Sequence, residues 1–427
     1  MGSEMCIRDR YRAVPHVDVR ETRRVGKGRH MPRTSRPSAP QVFAPAALGP
    51  LTLRNRIIKA ATFEGVMPGG KVSDALIDFH RQVAAGGAAL STVAYLAVSP
   101  EGRTDRHCLL LNEDNLAGLR RLTDAIHAEG AAAAAQIGHA GPVANPRSNR
   151  APALSPSGGW TPMGTRLRAV DAAGIERIVE DYRRAATLAV EAGFDSIEVH
   201  VGHNYLLSAF LSPKLNRRDD QFGGSVENRA RFARGVLRTV RDAAGDNMAV
   251  TAKLNMADGV PGGLWLDDSL EVAALFESDG VLDALELTGG SSLANPMYLF
   301  RGDAPLTEFG ATLPQPVRAG FRLVGHRFLK AYPYEEAFFL PFARQFQRAL
   351  TTPIILLGGI SELRTIEAAL AEGFAFVAMA RALLREPDLP KRMEAGSSTA
   401  SLCIHCNKCM PTIYSGTRCV LVHDSPG

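Results

Sequence analysis

The segment from Ser196 to Tyr205 reads SIEVHVGHNY, and the interpretation of the whole chain starts from it. Its first half is β-branched and apolar, and glycines bound it on both sides, so it predicts a buried strand. His200, His203 and Tyr205 therefore lie at, or just after, the C-terminal end of that strand. Ligands of parallel α/β proteins bind at this end of the strands.

Two imidazoles three positions apart can donate two hydrogen bonds to one oxygen atom, and a phenol beside them can donate a proton. A single histidine at a strand end is more often a polar group that closes a buried pocket. That alternative applies to His200 or to His203 taken alone. The combined pattern His-x-x-His-x-Tyr favours chemistry at this position.

Strand-length apolar runs alternate with segments of helical period along the chain, which predicts a single (β/α)8 barrel of the α/β class. The third run is rich in alanine, which alone would favour a helix, but glycines bound it at a strand-like length. Ser73 and Ser225 are predicted helix N-caps. The predicted strands are Arg56–Ala61, Ala89–Ala97, the run ending at Ile137, the run beginning at Ser196, Ala249–Leu254, Ala284–Leu287, Pro353–Leu357 and Phe376–Met379.

The predicted organisation is a disordered or non-native tail (residues 1–40), a barrel (41–395) and a Cys-rich C-terminal segment (396–427). The tail has no apolar core of a secretory signal, although its Arg-rich composition also fits a transit peptide. A Pro/Ser/Gly-rich loop covers residues 139–170, and a long insertion at 293–334 follows the sixth strand. Insertions of this length are usually functional, so we expect a lid or wall over the substrate, with a surface excursion as the alternative.

The composition excludes several classes of protein. The net charge of +5 comes from residues 1–40, where ten Lys/Arg and four Asp/Glu give +6 and leave −1 for the remainder. The nearly neutral body predicts no nucleic-acid partner. No apolar run reaches the ~18 residues of a membrane span. Six cysteines are too few for a secreted disulfide scaffold, so we expect a cytoplasmic protein, either a monomer or a homo-oligomer.

The motif at the fourth strand continues in order over a long segment of the chain. It comprises His200–Tyr205, Leu211–Pro213, Asn216–Arg218, Phe222–Ser225 and Glu227–Phe232. This series resembles the old yellow enzyme family of FMN-dependent NADH:flavin oxidoreductases, and the resemblance extends with gaps from about residue 42 to 393. It implies an ene-reductase: NAD(P)H passes hydride to N5 of FMN, and N5 passes it to an alkene conjugated to a carbonyl group.

The resemblance also implies roles for individual residues. His200 and His203 would hold the carbonyl oxygen of the substrate, and Tyr205 would protonate its α-carbon. Gln136 would meet the flavin pyrimidine, and Lys253 would face the flavin N1 and O2, where negative charge develops on reduction. Glycines and an arginine after the last two strands would bind the phosphate. The implied flavin contacts are Ala60, Ala61, Thr62, Ala97, Gln136, Lys253, Gly358, Gly359, Ala380 and Arg381.

Four cysteines, Cys403, Cys406, Cys409 and Cys419, follow the barrel with the spacing C-x2-C-x2-C-x9-C. This segment resembles the [4Fe–4S] segment after the barrel of 2,4-dienoyl-CoA reductase and trimethylamine dehydrogenase. A zinc site and a metal-free remnant are the alternatives. A cluster would favour a second function, an amine dehydrogenase or demethylase that passes electrons to a protein. A barrel that binds flavin without turnover is the non-enzymatic alternative.

Overall fold

Eight parallel strands close into a barrel in the part of the chain that the computed structural model describes, residues 41–315 and 317–422. The predicted tail at 1–40 and the last residues of the Cys-rich segment lie outside this part. The described strands are β1 (Ala46–Leu48), β2 (Leu51–Leu53), β3 (Ile57–Phe63), β4 (Leu90–Ala97), β5 (Ala132–Gly138), β6 (Ala153–Ser155), β7 (Gly159–Trp160), β8 (Arg166–Ala169), β9 (Ser196–Val201), β10 (Ala249–Asn255), β11 (Ala284–Thr288), β12 (Ile354–Leu357) and β13 (Phe376–Met379).

Helices connect the barrel strands and cover the outside of the barrel. The described helices are α1 (Asp74–Ala85), α2 (Glu113–Ala128), α3 (Pro146–Asn149), α4 (Ala172–Glu191), α5 (Leu206–Leu211), α6 (Val226–Ala244), α7 (Leu266–Asp279), α8 (Leu306–Ala311), α9 (Val317–Phe328), α10 (Leu340–Ala349), α11 (Leu363–Ala371), α12 (Arg381–Arg385) and α13 (Leu389–Glu394). Short 3-10 turns span Pro68–Gly70, Gly141–Val143, Pro296–Tyr298 and Met410–Tyr414. No helix among the described residues is long and apolar enough to span a bilayer.

The barrel strands follow one another in chain order. The order is β3-β4-β5-β9-β10-β11-β12-β13, and β13 pairs with β3 to close the ring. Each predicted strand is one of these eight, with bounds that differ by at most two residues. The prediction of a (β/α)8 barrel is therefore confirmed.

The alanine-rich run forms strand β5 because its tertiary position outweighs its helix propensity. It lies between β4 and β9, and its residues from Ala133 to Gly138 are buried. A parallel strand covered on both faces selects apolar side chains of any kind.

Both predicted N-caps are confirmed. The Ser73 hydroxyl accepts the Leu76 N–H at 3.1 Å, and the Ser225 hydroxyl accepts the Asn228 N–H at 3.2 Å. A cap of this kind contributes about 1 kcal/mol to helix stability.

Two regions hold more regular structure than the sequence predicted. The loop at 139–170 contains helix α3 and a small sheet in which β8 pairs with β6 and β7. The insertion contains α8 and α9, whose Phe309, Phe321 and Phe328 pack with the buried Met297 and with Met410 of the C-terminal segment. The insertion and the C-terminal segment therefore share a small apolar core of their own.

Candidate active site

A cavity of about 520 Å³ opens at the C-terminal ends of the barrel strands. This is the position at which (β/α)8 barrels carry their active sites, and the volume lies in the range of small-molecule sites. Nearly all of the residues implied by the resemblance line it. These are Ala60, Ala61, Thr62, Gln136, His200, His203, Tyr205, Lys253, Gly358, Gly359, Ala380 and Arg381.

Ala97 is the exception among these residues. It is fully buried, and its N–H bonds to the Leu109 carbonyl at 2.9 Å, but it does not line the cavity. The pairing of β4 with β5 shifts register between Val93 and Leu96. Such an irregularity re-aims the side chains that follow it, so Ala94 and Tyr95 line the cavity instead.

The two histidines approach each other at the end of β9. Nε2 of His200 lies 3.3 Å from Nδ1 of His203, and Nε2 of His203 lies 2.9 Å from the Thr288 hydroxyl. His203 has a left-handed backbone with φ of 59°, and its N–H bonds to Oδ1 of Asn255 at 3.0 Å. This turn, which few non-glycine residues adopt, aims the imidazole into the cavity. Thr288 and Asn255 are site residues that the sequence reasoning missed.

Both imidazoles are neutral at physiological pH. Burial lowers the pKa of His200 well below its ordinary value, and the neighbouring His203 and Lys253 lower it further. Burial and the Lys253 charge lower the pKa of His203 to about 3. The pair can therefore donate hydrogen bonds without carrying charge.

Tyr205 stands directly beside this pair. Its ring lies 4.6 Å from the His200 ring in an edge-to-face arrangement, and 5.4 Å from the ring of Tyr95. All three motif residues thus meet at one side of the cavity.

Lys253 is the centre of a buried polar cluster in the barrel interior. Its Nζ lies 2.8 Å from Oε1 of Glu198 and 2.8 Å from Oε1 of Glu286. Oε1 of Glu198 also accepts Nε2–H of Gln136 at 2.7 Å. Burial lowers the pKa of Lys253, but the charges of Glu198 and Glu286 outweigh it, so the net shift is upward.

The sequence reasoning missed both glutamates, although a signal for them existed. A buried lysine must find counter-charges, and Glu198 and Glu286 occur in the flanking predicted strands.

The opposite end of the cavity has the features of a phosphate site. Gly358 and Gly359 follow β12 with φ of 114° and 73°, where any side chain would be strained. A Cβ on Gly358 would lie 2.5 Å from the Phe339 ring, so no side chain fits at this position, and both glycines line the cavity. Arg381 follows β13 and is mostly buried, and its Nη1 donates to the Arg301 carbonyl at 2.9 Å and to Asn407.

This donor set fits a phosphorylated flavin. An amide and an ammonium group suit the polar edge of the ring, and glycine backbone with an arginine suits the phosphate. The buried hydroxyl of Thr62 lines the same cavity and has no hydrogen-bond partner among the described residues. Gln136, Lys253, Thr62, the Gly358–Gly359 backbone and Arg381 are the groups that would hold it.

The insertion forms a wall of the cavity and is not a surface excursion. Phe300, Phe309 and Phe328 line the cavity from this side. His405 and Cys409 line it from the C-terminal segment. The ring of His405 stacks on Tyr334 of the insertion, with centroids 3.4 Å apart.

The four C-terminal cysteines are free thiols that surround a second, small cavity of about 20 Å³. Arg381 and Cys409 line both cavities, so the two are adjacent. No group of three or more His, Cys, Asp or Glu side chains in the described part of the chain is spaced to hold a metal ion. The donor set suits a metal centre chemically, but the side chains are not arranged as one here.

The fold and the site together define a flavin-dependent (β/α)8 oxidoreductase. Residues 41–280 match the NADH:flavin oxidoreductase / NADH oxidase family, and the chain belongs to that family. It is therefore an NAD(P)H-dependent flavin oxidoreductase of the old yellow enzyme group. Membership implies FMN as the cofactor, NAD(P)H as the reductant and a small-molecule substrate.

Curated relatives match most of the chain. The chain is 61% identical over 383 residues to a 4,4′-dithiodibutanoate disulfide reductase of Rhodococcus erythropolis, covering 90% of this chain and 95% of that protein. It is 32% identical over 381 residues to a metal reductase of Desulforamulus reducens, covering 87% of this chain and 52% of that protein. The chain thus spans about half the length of the second relative.

Solved structures share the fold. A morphinone reductase in complex with tetrahydroNAD superposes with a TM-score of 0.67 at 25% identity, covering 88% of this chain and 94% of that one. A 2-naphthoyl-CoA reductase complex superposes with a TM-score of 0.76 at 24% identity, covering 88% of this chain and 56% of that one.

Proposed function

We propose that this site reduces alkenes conjugated to a carbonyl group, with electrons from NAD(P)H. The supporting observation is that Nε2 of His200 and Nδ1 of His203 lie 3.3 Å apart at the cavity that Tyr205 also lines. FMN bound there would carry hydride from NAD(P)H to the β-carbon of the alkene. The balance is one NAD(P)H and one proton consumed for each C=C bond reduced.

The histidines bind and polarise the carbonyl oxygen. A neutral imidazole carries one N–H, so two donors converge on one oxygen only if both rings hold the suitable tautomer. When the Thr288 hydroxyl donates to Nε2 of His203, the ring proton of His203 lies on Nδ1. Thr288 is then a positioning residue that makes His203 a donor beside His200.

Tyr205 supplies the proton for the α-carbon. A neutral phenol at neutral pH can act as a general acid.

The direct test of the function is an anaerobic assay. NAD(P)H oxidation should depend on cyclohexenone and yield one cyclohexanone per NAD(P)H. NAD(P)H oxidation that is independent of the enone would contradict the proposal.

Thr288→Val should weaken the binding of a substituted phenol, whose oxygen takes the place of the substrate carbonyl oxygen. The expected loss is roughly 2- to 10-fold in affinity, the value of one hydrogen bond. Thr288→Ser keeps the hydroxyl and should bind as the wild type does. The loss should be the same from pH 6 to pH 8, because His203 is neutral throughout. Flavin absorbance during ligand titration measures both variants. Wild-type affinity in Thr288→Val would show that the hydroxyl does not set the tautomer.

Small organic disulfides are a second candidate substrate class. The support is the 61% identity to a protein named for reducing 4,4′-dithiodibutanoate. One NAD(P)H and one proton would cleave R–S–S–R to two R–SH, with the electron pair breaking the S–S bond. A departing thiolate is stable near neutral pH, so this reaction needs Tyr205 less than the alkene reaction does. Thiol release from that disulfide, compared with enone reduction in wild type and Tyr205→Phe, discriminates the two classes.

The amine dehydrogenase alternative reverses the direction of electron flow. It predicts that an N-methylated amine bleaches the flavin in the absence of NAD(P)H. Bleaching by NAD(P)H alone favours the reductase.

Cys403, Cys406, Cys409 and Cys419 line one cavity but are not arranged as a metal site in the described part of the chain, so metal analysis distinguishes a [4Fe–4S] cluster, a zinc site and a metal-free remnant. If they hold a cluster, anaerobic purification should give about four irons per chain, and Cys406→Ser should lose them. Cys108→Ser, at a buried cysteine of the barrel, is the matched control and should keep the iron. Zinc would indicate a structural site, and neither metal would leave the metal-free remnant.

A further inference from the structure

Three charged side chains meet in the barrel interior on adjacent strands. Lys253 on β10 is the register partner of Glu286 on β11, and Glu198 comes from β9 on the other side. All three are almost completely buried, with 1 to 3% of each residue exposed. The two 2.8 Å contacts to Nζ of Lys253 hold the carboxylates at the same cation.

The cluster has one negative charge more than its cation balances. Two carboxylates share one ammonium group, and the other buried lysine among the described residues, Lys59, is bound to Glu64 at 3.0 Å. A net charge in a buried site is costly, and the usual outcome is that one group is neutralised.

Glu286 is the carboxyl group that can take up a proton to relieve this excess charge. Burial and the Glu198 charge raise the pKa of Glu286 to about 7, although Lys253 opposes the rise. His200 and His203, which adjoin Lys253, are neutral and add no compensating charge. The carboxyl group of Glu286 therefore changes its protonation state near physiological pH.

The cluster reaches the cavity through Lys253 and Gln136. Both line the cavity, and both are bound to Glu198. A flavin ring held by these groups gains negative charge at its pyrimidine edge on reduction. The negative charge of the reduced ring attracts the Lys253 ammonium group. The interaction of Lys253 with the Glu286 carboxylate, which favours the ionised form of Glu286, is then weaker.

We propose that Glu286 takes up a proton from solvent when bound FMN is reduced and releases it when the flavin is reoxidised. The inference rests on the flavin placement proposed above. NAD(P)H supplies the hydride, which is two electrons and one proton, and the flavin keeps a negative charge. The second proton converts the Glu286 carboxylate to the acid and restores the charge of the barrel interior.

The flavin midpoint potential measured against pH tests this proposal. From pH 7 to about 8, the slope of midpoint potential against pH in the wild type should approach the value for two protons taken up per two electrons. In Glu286→Gln the slope should be the value for one proton. Each proton corresponds to about 30 mV per pH unit for a two-electron couple. Below pH 7 the wild-type slope should fall toward one proton, because Glu286 is then already protonated in the oxidised enzyme.

Glu64→Gln is the matched control, since Glu64 is the other buried carboxylate bound to a buried lysine, and it should keep the wild-type slope. Infrared difference spectra of the wild type should show a protonated carboxyl group that appears when the flavin is reduced. This measurement needs no variant, so it tests the proposal even if Glu286→Gln does not fold. A wild-type slope of one proton across the range, or the wild-type slope in Glu286→Gln, would overturn the inference. Neither measurement uses an alkene, so the two proposals can fail separately. An enzyme that reduces the enone but shows a one-proton slope would contradict only this inference. An enzyme that shows the two-proton slope but does not reduce the enone would contradict only the proposed function.

Discussion

Tyr205→Phe should slow the reduction of cyclohexenone by roughly 10²–10⁴, the usual contribution of a general acid, while NAD(P)H still bleaches the flavin at nearly the wild-type rate. The two effects separate because only the alkene step requires a proton on carbon. Tyr205 lies beside His200, with ring centroids 4.6 Å apart, and so borders the position of the bound carbonyl. Stopped-flow absorbance under anaerobic conditions measures the two half-reactions independently.

Tyr95→Phe provides the matched control for Tyr205. Tyr95 also lines the cavity, but its hydroxyl donates to the Gly102 carbonyl and is not directed at a substrate. Its loss should have a far smaller effect on the enone step. Equal slowing of bleaching and recovery in Tyr205→Phe would mean that Tyr205 is not a dedicated proton donor. No slowing of either would assign the proton to water or to another residue.

Lys253→Met should destabilise the apoprotein by about 3–5 kcal/mol, the cost of removing one partner from a buried ion pair. The variant leaves Glu198 and Glu286 buried without their cation, so the loss exceeds that of one surface charge. The expected consequence for the flavin is a lower reduction potential, since the charge that opposes the reduced ring is gone. Chemical denaturation of the apoprotein measures the first effect and redox titration measures the second.

The stability deficit of Lys253→Met should depend on pH. A buried carboxyl group whose pKa is raised in the folded state destabilises the fold as pH rises above the pKa of the same group in the unfolded chain. The pKa of Glu286 is already raised to about 7 in the wild type. The deficit should therefore be smallest near pH 5, where the carboxyl group of Glu286 is protonated, and should grow through neutral pH. Lys253→Arg retains the charge and should lose much less. A deficit that is constant with pH would show that the lost stability is packing and not charge.

The barrel and the motif at the end of β9 could be predicted because both are local patterns. The run Ser196–Val201 is a strand by composition, and the position of His200, His203 and Tyr205 after it follows from chain direction alone. Gly358 and Arg381 were predictable in the same way, since each lies within two residues of the end of a strand.

The remaining site features depend on contacts that no single segment encodes. Thr288 orients His203 across 85 positions of the chain, and Glu198 meets Lys253 across 55. Ala97 does not line the cavity; β4 shifts register before it, and nothing in its sequence marks that shift. Helices α8 and α9 were missed because their apolar face is covered by Met410 from the far end of the chain.

The most direct test of the central claim is recovery of the reduced flavin after double mixing. The enzyme is first bleached anaerobically with one equivalent of NAD(P)H and then mixed with cyclohexenone. Flavin absorbance should return, and one cyclohexanone should form per flavin. A flavin that stays bleached with cyclohexenone but recovers with oxygen would contradict alkene reduction at this site, and recovery with 4,4′-dithiodibutanoate alone would assign the site to disulfides.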